Sequence, residues 1–162
     1  MKAMALLVQI LCLISLCPAQ SNHSRVRAEA EYYVTAYAEH YHVDISFARA
    51  IIKLESDWQP CVVSSKGAVG LMQVQPETAD TAGPQLLGRK VDVNNPADNA
   101  EMGAALLRQL LSDTNGDVSL ALADYYQGQG SVASDGIQPD TQTYVEGVLA
   151  LDGRFKAGAG PP

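Results

Sequence analysis

Residues 50–60, AIIKLESDWQP, end the most apolar helix that the sequence predicts and place one carboxyl group, that of Glu55, at its last turn. Asp44 is a suitable N-cap for this helix, and apolar side chains recur after it at the three- and four-residue spacing of an amphipathic helix. A carboxyl group among apolar side chains loses hydration, which disfavours its charged form and raises its pKa toward the range that a general acid needs. An exposed glutamate at a helix end is an equally good interpretation of this stretch taken alone.

Four other segments also have helical spacing, and Asn95-Pro96 and Asp117 are capping signals for two of them. No segment alternates with a period of two over a convincing length, so we expect a mainly α single domain. Residues 81–95 could still contain a short helical turn or a small strand pair. The predicted helices cover residues 25–42, 95–111, a segment after 117, and 141–151; the predicted loops are 59–70, 80–95 and 127–139; the domain spans 20–152, before a flexible tail at 153–162.

Length and composition exclude several classes of protein. The chain has 162 residues, of which 47% are hydrophobic and 18% charged, close to the usage of an ordinary globular domain. This excludes collagen-like, coiled-coil and wholly disordered proteins. With 18 acidic against 11 basic residues the net charge is -7. Because phosphate contacts need clustered Lys and Arg, we expect no nucleic-acid partner.

The N-terminus predicts a targeting segment. Lys2 precedes an uncharged apolar stretch, residues 3–16, and the small residues that follow it fit a signal-peptidase site. We interpret residues 1–19 as a secretory signal peptide, which predicts a secreted, periplasmic or cell-wall-associated protein with no membrane span after cleavage. The stretch is shorter than the roughly 20 residues that span a bilayer. An uncleaved anchor and a lipoprotein modified at Cys17 are the alternatives.

The cysteine and histidine residues give no sign of a disulfide, a catalytic thiol or a metal site. Removal of residues 1–19 would leave Cys61 as the one cysteine, so the sequence predicts no intramolecular disulfide. Cys61 also has no obvious base near it in sequence, as a catalytic thiol would need. His40 and His42 point to different sides of a helix, and no ligand spacing of a zinc site is present. We therefore expect neither a metal nor a cofactor.

A second motif follows the glutamate. Residues 64–73, SSKGAVGLMQ, place two glycines three apart, which lets a backbone pass close to a ligand. Together with residues 51–60, this segment resembles the soluble-lytic-transglycosylase (SLT) domain, a group of lysozyme-like enzymes that cut the glycan strands of bacterial peptidoglycan. Three later segments resemble the same family in the expected order: NPADNAEMGAALLRQLL at 95–111, LALADYYQGQGSV at 120–132 and TQTYVEGVLAL at 141–151.

The resemblance implies a lysozyme-like fold, related to goose-type lysozyme, and a set of site residues. Glu55 would be the single catalytic acid and base, and Tyr144 would hold its carboxyl group in place. Where the family usually has Tyr-Asn-Ala-Gly, this chain has Tyr-Tyr-Gln-Gly at residues 125–128, and Gln142 replaces a usual Arg. An aromatic ring can stack on a sugar, although core packing is the alternative for both tyrosines. The implied substrate-binding residues are Ser64, Met72, Gln73, Tyr126, Gln127 and Tyr144.

The resemblance also implies a mechanism that needs one carboxyl group. Ordinary glycosidases use two, roughly 5 to 9 Å apart. Asp57 should point away from Glu55, and Asp92 and Asp124 are less suitable positions for a second. In the implied lytic reaction, Glu55 protonates the bond between N-acetylmuramic acid and N-acetylglucosamine. It then accepts a proton from the muramyl 6-hydroxyl, which leaves a 1,6-anhydromuramyl end.

Three other functions stay open at this point. A hydrolytic goose-type lysozyme would share the fold and the acid but release reducing ends. An inactive wall-binding module would bind glycan without cutting it, and a structural protein could resemble the motifs by chance. In every enzymatic interpretation the expected partner is a peptidoglycan strand, bound by a monomer.

Overall fold

The computed structural model describes residues 23–158, and the regular elements in that range are all helices. Two isolated bridges, Val63 with Val69 and Val69 with Val74, fold the loop between the second and third helices. The prediction of a mainly α fold is confirmed. In chain order the helices are α1 (His23–His40), α2 (Ile45–Glu55), α3 (Pro76–Leu86), α4 (Pro96–Asp113), α5 (Val118–Gln127), α6 (Gln129–Asp135) and α7 (Pro139–Lys156).

Helices α2 and α4 form the interior of the molecule. The Asp44 side chain accepts the N–H of Phe47 and so caps α2, as the sequence predicts. Ile51 and Ile52 on α2 and Met102 on α4 are fully buried. Helix α1 packs on both, α7 lies against α2, and α5 lies against α4 and α7. The apolar face of α2 is therefore enclosed, and Glu55 at its end lies at the edge of the core.

Helix α3 corrects the prediction of a loop over residues 80–95, because residues 80–86 are helical and only the remainder is loop. Gly83-Pro84 is a typical helix breaker, which hid this helix in the sequence. In the fold, Gly83 is buried so closely against the side chain of Val91 that an added Cβ would lie 2.8 Å from it. Tertiary packing therefore outweighs the tendency of Gly83-Pro84 to end a helix.

Helix α6 corrects the predicted loop over residues 127–139. It contains no fully buried residue, so the sequence has no hydrophobic pattern that predicts a helix here. It begins after Gly128, whose positive φ of 90° ends α5 and turns the chain. A local backbone turn, and not an apolar face, creates this helix.

The last helix is longer than predicted. Helix α7 continues to Lys156, so the first residues of the predicted flexible tail, 153–156, are helical. Phe155 packs against the core, and the Lys156 ammonium group binds Asp152 at 2.7 Å. These contacts extend the helix beyond the end of its motif.

Cys61 is disulfide-bonded in the full chain, whereas the sequence analysis expected no intramolecular disulfide once residues 1–19 are removed. The prediction assumed that residues 1–19 had been removed, and it therefore did not count the two cysteines at positions 12 and 17. The interpretation of residues 1–19 as a signal peptide concerns a segment outside the described residues. Within residues 23–158, no helix has the length and apolar character that crossing a membrane requires.

The close contact between α4 and the loop before α3 gives a stability prediction. A Cβ added at Gly103 would lie 2.7 Å from the Cβ of Met72, which is itself buried. We expect Gly103→Ala to lower the free energy of unfolding by about 1–3 kcal/mol, because a packed core does not absorb an extra methyl group. Urea unfolding followed by circular dichroism measures this.

Gly153→Ala is the matched control. Gly153 is exposed in α7 and has no heavy atom near the position of an added Cβ. The same substitution there should raise the free energy of unfolding by roughly 0.5–1 kcal/mol, as alanine does in an exposed helix. If both variants were stabilised, the contact between Gly103 and Met72 would not limit the packing.

Candidate active site

The site begins with the contact between Glu55 and Tyr144. Glu55 is the last residue of α2, and the Tyr144 hydroxyl on α7 donates a hydrogen bond of 2.7 Å to its Oε1. The two helices come close here because Gly147 lies against Leu54, where an added Cβ would be 3.1 Å from Leu54 Cδ1. The structure thus brings together two residues that are 89 positions apart and that the family resemblance placed in one site.

The surroundings of Glu55 make it an acid near neutral pH. Burial raises the pKa of Glu55 from 4.5 to about 7, and the hydrogen bond from Tyr144 opposes this rise. No other group in the described part of the chain shifts it. Asp57 points elsewhere and binds Lys53 at 2.6 Å. Among residues 23–158, no three His, Cys, Asp or Glu side chains converge as a metal site would require.

The loop that precedes α3 is shaped by its own polar side chains. Ser64 Oγ accepts the N–H of Ala68, and the Ser64 N–H donates to the Ala68 carbonyl oxygen, which closes a tight turn. Gln73 adopts a positive φ of 48° and donates its amide nitrogen to the carbonyl oxygens of Val62 and Gly70. Its Oε1 accepts no hydrogen bond within the described residues. Ser64 and Gln73 therefore build the loop, and one Gln73 oxygen stays available.

Met72 lies in the core, contrary to the expectation that it lines a cleft. Its side chain is 1% exposed and packs on Gly103. Its backbone connects two helices instead. The Met72 N–H donates to Asn99 Oδ1 on α4 at 2.9 Å, and its carbonyl oxygen accepts the Tyr125 hydroxyl of α5 at 2.7 Å.

Asn99 is the residue whose role the sequence analysis missed. It is fully buried, and its Nδ2 donates to the carbonyl oxygens of Val69 and Val93 at 2.7 and 3.0 Å. A buried amide must be hydrogen-bonded, and this one ties the 64–73 loop to α4. Gly70 lies directly on it with a φ of 79°, where no side chain would fit. An asparagine among apolar residues of α4 is a signal that could have indicated this role.

Tyr126 lies at the surface beside Tyr144. Its side chain is 41% exposed, and its ring stacks on that of Tyr144 with a centroid distance of 4.4 Å and an interplanar angle of 22°. The sequence offered two interpretations, a surface for a sugar and helix packing. One face of the ring packs, and the residue keeps an exposed side.

The side-chain amide of Gln127 makes all of its hydrogen bonds within the protein, which corrects the expectation that this amide binds substrate. Its Nε2 donates to Ser131 Oγ and the Gly136 carbonyl oxygen, and its Oε1 accepts the Gln138 N–H and the Thr141 hydroxyl. These four bonds fill the capacity of the amide. Gln127 therefore joins the end of α5 to α6 and to the start of α7.

A groove of about 540 Å³ lies next to this pair of tyrosines. Its floor is apolar, from Leu106 and Leu110 of α4, and its walls are polar. The predicted residues Tyr126 and Gln127 line it, whereas the predicted residues outside its lining are Glu55, Ser64, Met72, Gln73 and Tyr144. Lining residues that the sequence analysis missed include Lys66, Gln75, Thr78, Gln129 and Gln138. The groove has the mixed lining of a site for a polar ligand with apolar faces.

Comparison with known proteins agrees with this geometry. A family model described as the Transglycosylase SLT domain matches residues 32–145. The soluble lytic murein transglycosylase of Salmonella typhimurium is 30% identical over 149 residues, which cover 75% of this chain and 22% of that protein. A transglycosylase of Enterobacteria phage PRD1 is 36% identical over 95 residues, covering 59% of this chain and 33% of the relative. The chain thus spans a third or less of the length of these two relatives.

Solved structures extend the similarity to the fold. A lytic transglycosylase Slt of Pseudomonas aeruginosa, determined as an inactive mutant, has a TM-score of 0.68 at 26% identity and covers 88% of this chain and 25% of its own. A 70-kDa soluble lytic transglycosylase in complex with bulgecin A has a TM-score of 0.72 at 25% identity, with 85% and 25% covered. The lysozyme-like prediction for the fold is confirmed.

The raised pKa of Glu55 predicts pH-dependent stability. A carboxyl group with a folded pKa of about 7 and an ordinary value of 4.5 costs no stability below pH 4.5 and its full amount above pH 7. Glu55→Gln removes the charge and keeps an oxygen for Tyr144. We expect its free energy of unfolding to exceed that of the unaltered protein by about 2–3 kcal/mol at pH 8 and by almost nothing at pH 4.

Urea unfolding at several pH values between 4 and 8 checks this. The control is Glu39→Gln, because Glu39 is exposed on α1 and water hydrates its anion in both states. A stability difference for Glu55→Gln that did not grow between pH 4 and pH 8 would contradict the assignment of Glu55 as a partly buried acid with a raised pKa.

Proposed function

The chain belongs to the Transglycosylase SLT domain family, and from this premise we propose that it is a peptidoglycan lytic transglycosylase. It cleaves the β-1,4 bond between N-acetylmuramic acid and N-acetylglucosamine and leaves 1,6-anhydromuramyl ends. The observation that carries the proposal is the partly buried carboxyl group of Glu55, whose pKa of about 7 keeps a large fraction protonated at neutral pH. A general acid works best with a pKa near the operating pH.

Glu55 serves as both acid and base in this reaction. It first transfers its proton to the glycosidic oxygen, so that the bond from that oxygen to the muramyl C1 breaks. The neighbouring acetamido group of the substrate stabilises the positive charge at C1. The Glu55 carboxylate then removes the proton of the muramyl 6-hydroxyl, and that oxygen bonds to C1. Glu55 is protonated again at the end, so one carboxyl group is sufficient.

The hydrogen bonds of Glu55 support this double role. Tyr144 occupies Oε1, and Oε2 makes no hydrogen bond within the described residues. Oε2 is therefore the oxygen that carries the proton to the substrate. Tyr144 stabilises the carboxylate after the first transfer, because a hydroxyl that donates to the charged form favours it.

We propose that the glycan lies along the groove. The exposed side of Tyr126 packs on a sugar face, and polar groups such as Gln75 bind hydroxyl and acetamido groups. Gln73 contributes its unused Oε1 to an N–H or hydroxyl at the edge of the site. Ser64 and Met72 act on substrate binding through the loop that they shape, and Gln127 acts by fixing the end of α5.

The substrate sets the place of action. Peptidoglycan lies outside the cytoplasm, so we propose that the protein is secreted or held in the periplasm or cell wall, and acts as a monomer. Two of its relatives are described as a soluble lytic murein transglycosylase and a membrane-bound lytic murein transglycosylase C. Attraction between charges adds little, because this chain and many cell-wall glycans are both acidic.

We expect Glu55→Gln to abolish cleavage of purified peptidoglycan and to leave the fold intact, since the amide has nearly the same shape but cannot deliver a proton. Mass spectrometry of the soluble products is the measurement. Products of the unaltered protein should carry anhydro ends. Reducing ends would identify a hydrolase of the goose type, glycan binding without products would identify a binding module, and full activity of the Gln variant would exclude Glu55.

We expect Tyr144→Phe to lower turnover about tenfold to a hundredfold without abolishing it, as the loss of a hydrogen bond to a charged group predicts. For the unaltered enzyme, kcat/KM should fall as pH rises through about 7, because the acid loses its proton. Removing the hydroxyl raises the pKa of Glu55, so this fall should move to higher pH in the variant. An unchanged pH profile would assign Tyr144 to packing alone.

A further inference from the structure

We infer that Tyr126 is a positioning residue that holds the Tyr144 ring, and with it the Tyr144 hydroxyl, on Glu55. The inference deepens the proposed function, since Glu55 and Tyr144 are its acid and the partner of that acid. It concerns the inner face of the Tyr126 ring. The contact with sugar proposed above concerns its exposed side, so the two roles can be separated by experiment.

The geometry of the pair carries the inference. The rings of Tyr126 and Tyr144 are stacked at 4.4 Å and 22°, while the Tyr144 hydroxyl is 2.7 Å from Glu55 Oε1. Side chains occupy a few staggered rotamers, and a ring packed flat against another cannot leave its rotamer without breaking the stack. Tyr126 therefore closes the direction in which the Tyr144 ring would swing away from Glu55.

The position of Tyr126 is restrained because the side chains of both of its neighbours in the chain are hydrogen-bonded to other parts of the fold. The Tyr125 hydroxyl donates to the Met72 carbonyl oxygen, and the Gln127 amide holds α6 and the start of α7 by four hydrogen bonds. Helix α5 ends directly afterwards at Gly128. The backbone on either side of Tyr126 is thus held by the rest of the fold, although its own ring is partly exposed.

The stack of Tyr126 on Tyr144 depends on a residue at which this chain departs from the family motif. The SLT domains that it resembles usually have asparagine at this position, and an asparagine side chain has no ring to stack on Tyr144. The bond to Glu55 is the one hydrogen bond of the Tyr144 side chain in the described part of the chain. The aromatic stack adds a restraint on that hydroxyl to the packing of Tyr144 against the core.

The groups around Glu55 make its titration a usable readout. Besides burial, the hydrogen bond of Tyr144 is the influence on its pKa within the described residues. On its own helix, Lys53 and Asp57 bind each other. Helix α5 carries Asp124, Tyr125 and Tyr126, and α7 carries Asp140, Tyr144, Glu146, Asp152, Arg154 and Lys156. Of these groups, Tyr125 and Tyr144 are the two whose pKa is raised by burial and also by Glu55.

Two roles are open to Tyr126: it either positions Tyr144 or only covers the site. The two roles predict opposite shifts in the pKa of Glu55 when the Tyr126 ring is removed. If Tyr126 positions Tyr144, its removal weakens the hydrogen bond to the carboxylate, and the pKa of Glu55 rises. If Tyr126 only covers the site, its removal lets water reach Glu55, and the pKa of Glu55 falls. The direction of the shift therefore decides between the two roles.

The experiment is a carbon-13 NMR titration of the Glu55 carboxyl group in the ligand-free protein, assigned with Glu55→Gln. We expect Tyr126→Ala to shift the titration to higher pH, Tyr126→Phe to leave it unchanged, and Tyr126→Ala to cause no upward shift in the Tyr144→Phe background. Tyr32→Ala, which removes an exposed tyrosine of α1, should have no effect. An unchanged or lower Glu55 titration in Tyr126→Ala, or an equal upward shift without the Tyr144 hydroxyl, would overturn the inference.

Kinetics provide the second readout. The fall of kcat/KM at high pH should move in the same direction in Tyr126→Ala and should be restored by Tyr126→Phe. Tyr126→Leu, which keeps apolar volume without a flat ring, is the second variant should Tyr126→Ala not fold; failure of both to fold would make Tyr126 a packing residue and overturn the inference. If the unaltered protein cut no glycan, the proposed function would fail while the titration still decided the role of Tyr126.

Discussion

The hydrogen bond between Tyr144 and Glu55 at the junction of α2 and α7 is the contact on which the rest of the site depends. It joins the end of a helix whose Ile51 and Ile52 are fully buried to a tyrosine 89 residues later. Burial makes the Glu55 carboxyl an acid near neutral pH, and the hydroxyl limits that effect and orients the group. A fold that separated the two helices would return Glu55 to the behaviour of an ordinary exposed carboxylate.

The loop beside Glu55 is held by buried polar groups rather than by regular structure. Ser56 Oγ donates to the Leu71 carbonyl oxygen, Asn99 binds the backbone at residues 69, 72 and 93, and Tyr125 donates to the Met72 carbonyl oxygen. Three helices thus fix one irregular segment. Since irregular backbone has no repeating hydrogen bonds of its own, these side chains supply the rigidity that a positioned acid requires.

Sequence reasoning succeeded and failed for physical reasons that particular residues illustrate. Helices α2 and α4 were predictable because each has a capping side chain and an apolar face. Helix α3 was missed because Gly83-Pro84 suggested a loop while packing against Val91 favoured a helix. Helix α6 was missed because it contains no fully buried residue and therefore has no marked apolar face. Met72 and Gln127 were assigned to substrate from their motifs, whereas the fold uses one in the core and the other as a hydrogen-bonded link.

The sequence by itself determined the helical class, the family motifs and the candidate acid, because these depend on local spacing and residue chemistry. Only the tertiary structure decided the direction of each side chain. It determined that Tyr126 stacks on Tyr144, that the Asn99 amide supports the loop, and that Glu55 is sufficiently buried to hold a proton near pH 7. The physical reason is that burial and hydrogen bonding are properties of contacts between distant segments, and no spacing within one segment contains them.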